Sequence, residues 1–179
     1  MRTCESGMTL LEVIIASTIG VMLTGLCLLL MIQIFNHSQK VSDHLFLDYQ
    51  IDRAGFWIGQ DAQKAVIVST TGLESPQVLV LQWTEWNFGG DSVYHSVVYS
   101  VEDAVDGVGR LKRFYQNSKG QSSVTWVAEE IYYNPQDEEH STRLSYDNGI
   151  LSVVITAVKG EEKESRQYRI HPRPDYTGA

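Results

Sequence analysis

Cysteine is nearly absent from this sequence. Its 179 residues include two, Cys4 and Cys27. Cys4 lies in a short N-terminal lead and Cys27 inside an apolar run, so neither a disulfide nor a metal-ligand spacing is expected. An exported domain without cysteines must be stable from packing alone. Proline is also scarce: there are four, and the first is Pro76, so no proline breaks a helix before it. Bases are outnumbered, 14 Lys+Arg against 22 Asp+Glu, for a formal net charge of -8. An acidic chain repels phosphate backbones, which makes nucleic acid a poor default partner. The sharpest absence is local. From Val13 to Gln39 there is no Asp, Glu, Lys or Arg.

Catalytic signatures are missing too. The five histidines, His37, His44, His95, His140 and His171, sit in no HExxH or CxxC-like constellation, and no Gly-rich loop opens a helix after a strand. Ser69 and Ser100 have no G-x-S-x-G elbow around them. No enzyme activity and no cofactor is therefore expected. Three weaker features remain, the first two with two readings each. "NPQDEEH" at Asn134–His140 collects oxygen ligands but lacks the Asp-x-Asp-x-Asp-Gly calcium spacing, so it reads as a solvated acidic loop or a calcium site. Trp83, Trp86, Trp126, Tyr132 and Tyr133 read as strand core or as an exposed platform for sugars or DNA bases. Lys112, Arg113 and Lys119 make a basic patch too small by itself to argue for DNA.

The dominant feature is "SGMTLLEVIIASTIGVMLTGLCLLLMIQIF", from Ser6 to Phe35. About 20 apolar residues suffice to span a bilayer as a helix, and this run passes that test. A secretory signal peptide needs an apolar core of only about 7–15 residues and a small-x-small cleavage site, and "MIQIFNHSQ" offers none. Lipid attachment at Cys27 is disfavoured by the large Leu26 beside it. A plain signal anchor fits everything except Glu12. A charge at mid-bilayer costs about 2.5–3.5 kcal/mol on insertion scales. One explanation is that Glu12 lies at the headgroup level, favoured by the helix N-terminal dipole.

A second explanation comes from the residues around it. Gly7, Met8, Thr9-Leu10-Leu11-Glu12-Val13 and the apolar helix behind them resemble the cleavage and methylation signal of type IV prepilins and pseudopilins. That resemblance implies cutting after Gly7 by a membrane-embedded prepilin peptidase-methyltransferase and N-methylation of Met8, a position where phenylalanine is usual. The carboxylate of Glu12 would then meet the Met8 amine of a neighbouring subunit, giving the buried charge an opposite charge instead of lipid. Ala16, Gly20 and Thr24 recur every four residues, and small residues at that spacing let helices approach closely. The bland reading is ordinary tolerance of small residues in a membrane helix. The leader "MRTCESG" has one base, Arg2, and one acid, Glu5, so its orientation signal is weak.

Past Phe35 the pattern turns amphipathic. Leu47, Ile51, Ala54, Ile58, Ala62 and Ala65 form one helical face, with Asp48, Asp52, Arg53, Asp61 and Lys64 mostly off it. A helix is thus expected to about residue 65, roughly 85 Å from Met8. Period-two patterning then takes over. "AVIVST", "QVLVLQWT", "SVVYSV", "RLKRFYQ", "SVTWVAEEIYY", "RLSYD", "ILSVVITAV" and "SRQYRI" read as strands. Turns are expected at Gly72–Pro76, Asn87–Asp91, Asn117–Gly120, Asn134–Glu139, Asp147–Gly149 and Lys159–Lys163.

The expected class is α+β: a long N-terminal helix, transmembrane in its first half and amphipathic in its second, packed on an antiparallel sheet in a pilin-like arrangement. The expected organisation is leader 1–7, membrane or filament-core helix 8–36, amphipathic helix 37–65, β-domain 66–171 and flexible tail 172–179. "IDRAGFWIGQDAQKAV" before "QVLVLQW" is similar to the J-type minor pseudopilin of type II secretion or the W-type minor pilin. The resemblance implies a two-sheet β-domain and, as partners, other pilin or pseudopilin subunits, the peptidase, an inner-membrane assembly platform and membrane lipids. It also implies residence in the inner membrane before assembly, and in a periplasmic or cell-surface filament after it. The alternative is a competence or adhesion pilin whose β-domain binds DNA or a surface, which an exposed Trp83/Trp86 face beside a base would favour.

Overall fold

With no proline to interrupt it, the N-terminal sequence forms one helix, α1, over Leu10–Ala62. The structure is a computed structural model that describes residues 9–86, 90–137 and 139–173. Gly7, Met8, the leader and the tail from residue 174 lie outside the described residues, as do residues 87–89 and Glu138 of two expected turns. The chain divides into two compact units, Met1–Ser42 and Asp43–Ala179, and the boundary falls inside α1.

In the first unit, every described residue is exposed. By length and composition this part of α1 can cross a membrane. Its hydroxyls bond back to their own helix: Ser17 and Thr18 to the Ile14 carbonyl at 2.9 and 2.7 Å, and Thr24 to the Gly20 carbonyl at 2.8 Å. Such back-bonding leaves the hydroxyl polarity satisfied without water.

The second unit holds the rest of α1 and eight strands: β1 (Ile67–Ser69), β2 (Gln77–Trp86), β3 (Ser92–Val105), β4 (Val108–Asn117), β5 (Ser122–Tyr132), β6 (Arg143–Asp147), β7 (Ile150–Lys159) and β8 (Glu162–Ile170). All pairings are antiparallel, in the order β1-β2-β3-β4-β5-β7-β6 with β8 on β7, and the sheet is curled. The expected two sheets are thus one by pairing. The join is thin, however, because β5 and β7 share the single bridge Ile131↔Ala157.

Each expected strand is present, and the hairpin expected at Asp147–Gly149 forms. Asn148 and Gly149 have φ of 50° and 76° between the paired Asp147 and Ile150, as a two-residue hairpin turn requires. Three details differ from expectation. The helix ends at Ala62 rather than about 65, where its last turn tightens into three-residue bonds from the Lys64 and Ala65 amides to the Asp61 and Ala62 carbonyls, both at 3.1 Å. β3 runs to Val105 and turns at Asp106-Gly107, with φ of 52° and 82°, a turn the strand pattern did not mark. The β7–β8 turn takes only Gly160 and Glu161.

The core lies between α1 and the sheet. Leu47, Ile51, Ala54, Ile58 and Ala62 of the helix meet Leu79, Leu81, Val97, Tyr99, Val127, Ile131, Leu151, Val153 and Ile155. Each large aliphatic side chain so buried contributes about 1.5–3 kcal/mol.

Candidate assembly site and helix anchorage

The assembly site expected from the sequence lies at the start of α1. Thr9 caps the helix, its carbonyl accepting from the amides of Glu12 and Val13 at 3.0 and 3.2 Å. Glu12 therefore sits in the first turn, where the unpaired amides of a helix start favour a negative charge. That position meets the dipole part of the first explanation for this carboxylate. Gly7 and Met8, which the second explanation needs, lie outside the described residues. Ala16, Gly20 and Thr24 follow Glu12 at helical spacing, all exposed in this unit. A Cβ on Gly20 or Gly25 would meet nothing within 4 Å, and Cys27 is an exposed free thiol. The arrangement is one apolar helix with a carboxylate at its head and a line of small side chains along it.

A different cluster, which the sequence reading placed off the apolar face, fastens the second part of α1 to the sheet. Asp61 is 2% exposed. Its Oδ2 accepts from the Tyr99 hydroxyl at 2.6 Å and from Arg113 Nε at 2.6 Å, and its Oδ1 accepts from Arg113 Nη2 at 2.9 Å. Arg113 also stacks over Trp57 at 5.1 Å and Tyr115 at 5.5 Å. The two-pronged geometry is the strong form of a carboxylate–guanidinium contact. Burial, then the Asp61 carboxylate, push the Tyr99 hydroxyl well above its usual range, and the hydrogen bonds that Arg113 donates to Asp61 raise Arg113. The signal was present in the sequence: Asp61 is three residues after Ile58 and seven after Ala54, so it belongs to the core face.

Two more helix side chains reach β5 along the stretch of its edge, before Ile131, that no described strand covers. Gln50 Oε1 accepts from the Glu129 amide at 2.9 Å, and Arg53 donates to the Trp126 carbonyl at 3.2 Å. On the β7–β8 side, Asp43 pairs with Lys159 at 2.7 Å, His44 with Glu164 at 2.7 Å, and Asp48 with Arg166 at 3.0 Å, while Arg166 also holds Asp52.

The remaining sequence candidates separate. Trp83 is 5% exposed and Trp86 74%, so the exposed Trp83/Trp86 face does not form. Trp126 lies under Arg110, 4.2 Å from the ring centroid. The basic patch is broken up: Lys112 pairs with Glu102 at 2.9 Å and Arg113 is turned inward. In the acidic loop, Asp137 receives the His140 amide and ring at 3.2 and 3.1 Å and the Tyr132 hydroxyl at 3.2 Å. Burial pulls the Asp137 carboxyl upward, but these bonds outweigh it and leave it below the usual carboxylate range. Among the described residues no three His, Cys, Asp or Glu side chains are grouped to hold a metal.

A groove of about 520 Å³ runs beside β6, lined in part by Thr70, Leu73, Gln77, Pro135 and Leu144. Two hydroxyls in its wall, Ser141 and Thr142, already bond within the fold. No family model matches the chain, and no curated protein or solved structure compared with it matches either.

Proposed function

We propose that this chain is a minor pseudopilin or minor pilin, a structural subunit of a type II secretion pseudopilus or a type IV pilus, acting in a tip or initiation complex. The prepilin peptidase-methyltransferase would cut after Gly7 and methylate Met8. The precursor would wait in the inner membrane with its β-domain outside the cytoplasm. The assembly platform would then move it, with neighbouring subunits, into a filament. What supports this reading above all is the sequence Gly7-Met8-Thr9-Leu10-Leu11-Glu12 leading straight into an uninterrupted apolar helix. The physical logic is that Glu12, lone and acidic, needs a cation once helices pack together and exclude water. The line Ala16, Gly20, Thr24 offers close approach on such a helix.

Mass spectrometry of the chain from cells that express the peptidase tests the processing. A methylated N-terminal peptide beginning at Met8 is expected, and an intact Met1 in a membrane-inserted chain overturns the reading. Glu12→Ala tests the pairing separately. Cleavage should persist while incorporation into sheared filaments falls about tenfold or more, equivalent to about 1.4 kcal/mol. Normal incorporation of that variant removes the pairing argument.

A further inference from the structure

The β4–β5 hairpin fixes which main-chain groups of β5 face outward. The Asn117 amide donates to the Gln121 carbonyl at 3.0 Å, and the register then runs Gln116↔Ser122, Tyr115↔Ser123, Phe114↔Val124 and Arg113↔Thr125. Bonded and unbonded pairs alternate along an antiparallel ladder. Ser123 and Thr125 therefore bond β4, while Ser122, Val124 and Trp126 turn their N–H and C=O groups away from it. The Trp126 carbonyl obeys this parity, because it accepts from Arg53 of α1 on the side away from β4. From there on the edge is covered: Gln50 takes the Glu129 amide, and Ile131 meets Ala157. Before it the edge is open. Val124 is 54% exposed. Among the described residues no partner reaches the outward main-chain groups of Ser122 and Val124 or the Trp126 amide.

The other unpaired strand edges are guarded. β1 has three residues, β6 begins with Arg143 and ends with Asp147, and β8 carries Glu162, Lys163, Glu164, Arg166 and Arg169. Short length and charge keep a strand edge from recruiting another chain. Gln121–Trp126 has no charge and no proline.

We propose that the Ser122–Trp126 edge of β5 receives an extended strand from a neighbouring, different subunit, which adds to the sheet through main-chain hydrogen bonds. The site asks for an uncharged segment with an apolar side chain beside Val124, since cross-strand apolar pairs stabilise such an addition. A second copy of this chain does not suit it. Gln50 and then Arg53 meet Glu129 and then Trp126, so α1 runs opposite to β5. Antiparallel self-pairing about Val124 would turn the second α1 end for end, whereas subunits that enter a filament from one membrane run their helices the same way. This inference rests on the filament reading and names a contact within it.

Amide hydrogen exchange, read residue by residue on the full chain in detergent micelles and in sheared filaments, tests it. In micelles the strand should alternate, with Ser123 and Thr125 slow and Val124 and Trp126 fast. In filaments Val124 and Trp126 should slow about tenfold or more, and the alternation should vanish. Fast exchange at Val124 in incorporated chains overturns the proposal and leaves the filament reading standing. Absence of the chain from filaments overturns both. A chain already dimeric in micelles, with Val124 protected, gives the edge to a second copy and overturns the proposal alone. Val124→Pro removes an outward N–H, a place where an edge strand accepts proline. Its urea transition should stay near that of wild type while incorporation falls about fivefold or more. If that variant does not fold, Val124→Lys, which puts a charge on the edge, should show the same loss. Full incorporation of the folded variant overturns the proposal.

Discussion

Asp61 carries a charge at a position where helix spacing calls for a core residue. Reading polar residues as solvent-facing obscures it, because burial here depends on two partners 38 and 52 residues away. Arg113 is legible in the same retrospective way: it alternates with Leu111 and Tyr115 on β4, and Leu111 is buried. Removing one member of a buried pair leaves the other charge without compensation. Asp61→Ala should therefore destabilise the β-domain by about 3–5 kcal/mol in urea unfolding. The double change Asp61→Asn with Arg113→Met should recover part of that loss. Tyr99 adds a signed pH effect. Its hydroxyl is raised well above the usual value by burial and by Asp61. The stability it confers is thus fully present below about pH 10, where free tyrosine ionises, and is lost as pH rises beyond that. Alkaline titration followed by near-UV absorbance should show Tyr99 ionising only with unfolding, and Tyr99→Phe should lose that late step.

At the scale of elements, alternation of apolar and polar residues makes all eight strands legible, because a half-buried antiparallel sheet imposes period two on its sequence. The Asp106-Gly107 turn carries an equally good hairpin signal and is missed only because the flanking residues, Glu102, Asp103 and Ala104, do not look like strand. Helix α1 is legible throughout, but which of its glycines matter is not. A Cβ at Gly55 would run into the ring of Tyr168, whose hydroxyl is 3.4 Å from the Ile51 carbonyl and 3.1 Å from Asp52. A Cβ at Gly59 meets nothing within 4 Å. The same substitution should therefore have opposite signs two turns or less apart. Gly59→Ala should stabilise by about 1 kcal/mol through helix propensity. Gly55→Ala should lose about 1–3 kcal/mol by pushing β8 off the helix. Thermal unfolding monitored by circular dichroism distinguishes them.

For the whole molecule, the two compact units differ in what each can do alone. All of the buried core lies from Leu47 onward, so nothing in the apolar part of α1 contributes to it. A chain beginning at Ser42 should fold cooperatively without detergent, with a urea transition that coincides by far-UV and fluorescence signals. The charged ladder from Asp43 to Arg166 was not legible at all, since each pair joins residues far apart in sequence and any exposed charge could have remained solvated.

The lone Ile131↔Ala157 bridge has a mechanical meaning. Helix α1 spans the gap beside it, gripping β5 through Gln50 and Arg53 and β8 through its acids. It thus serves as the keystone between two leaves. Tension that drew the helix away would split the domain along this crease before it tore either leaf, whereas tension transmitted along the helix would load the keystone without opening the crease.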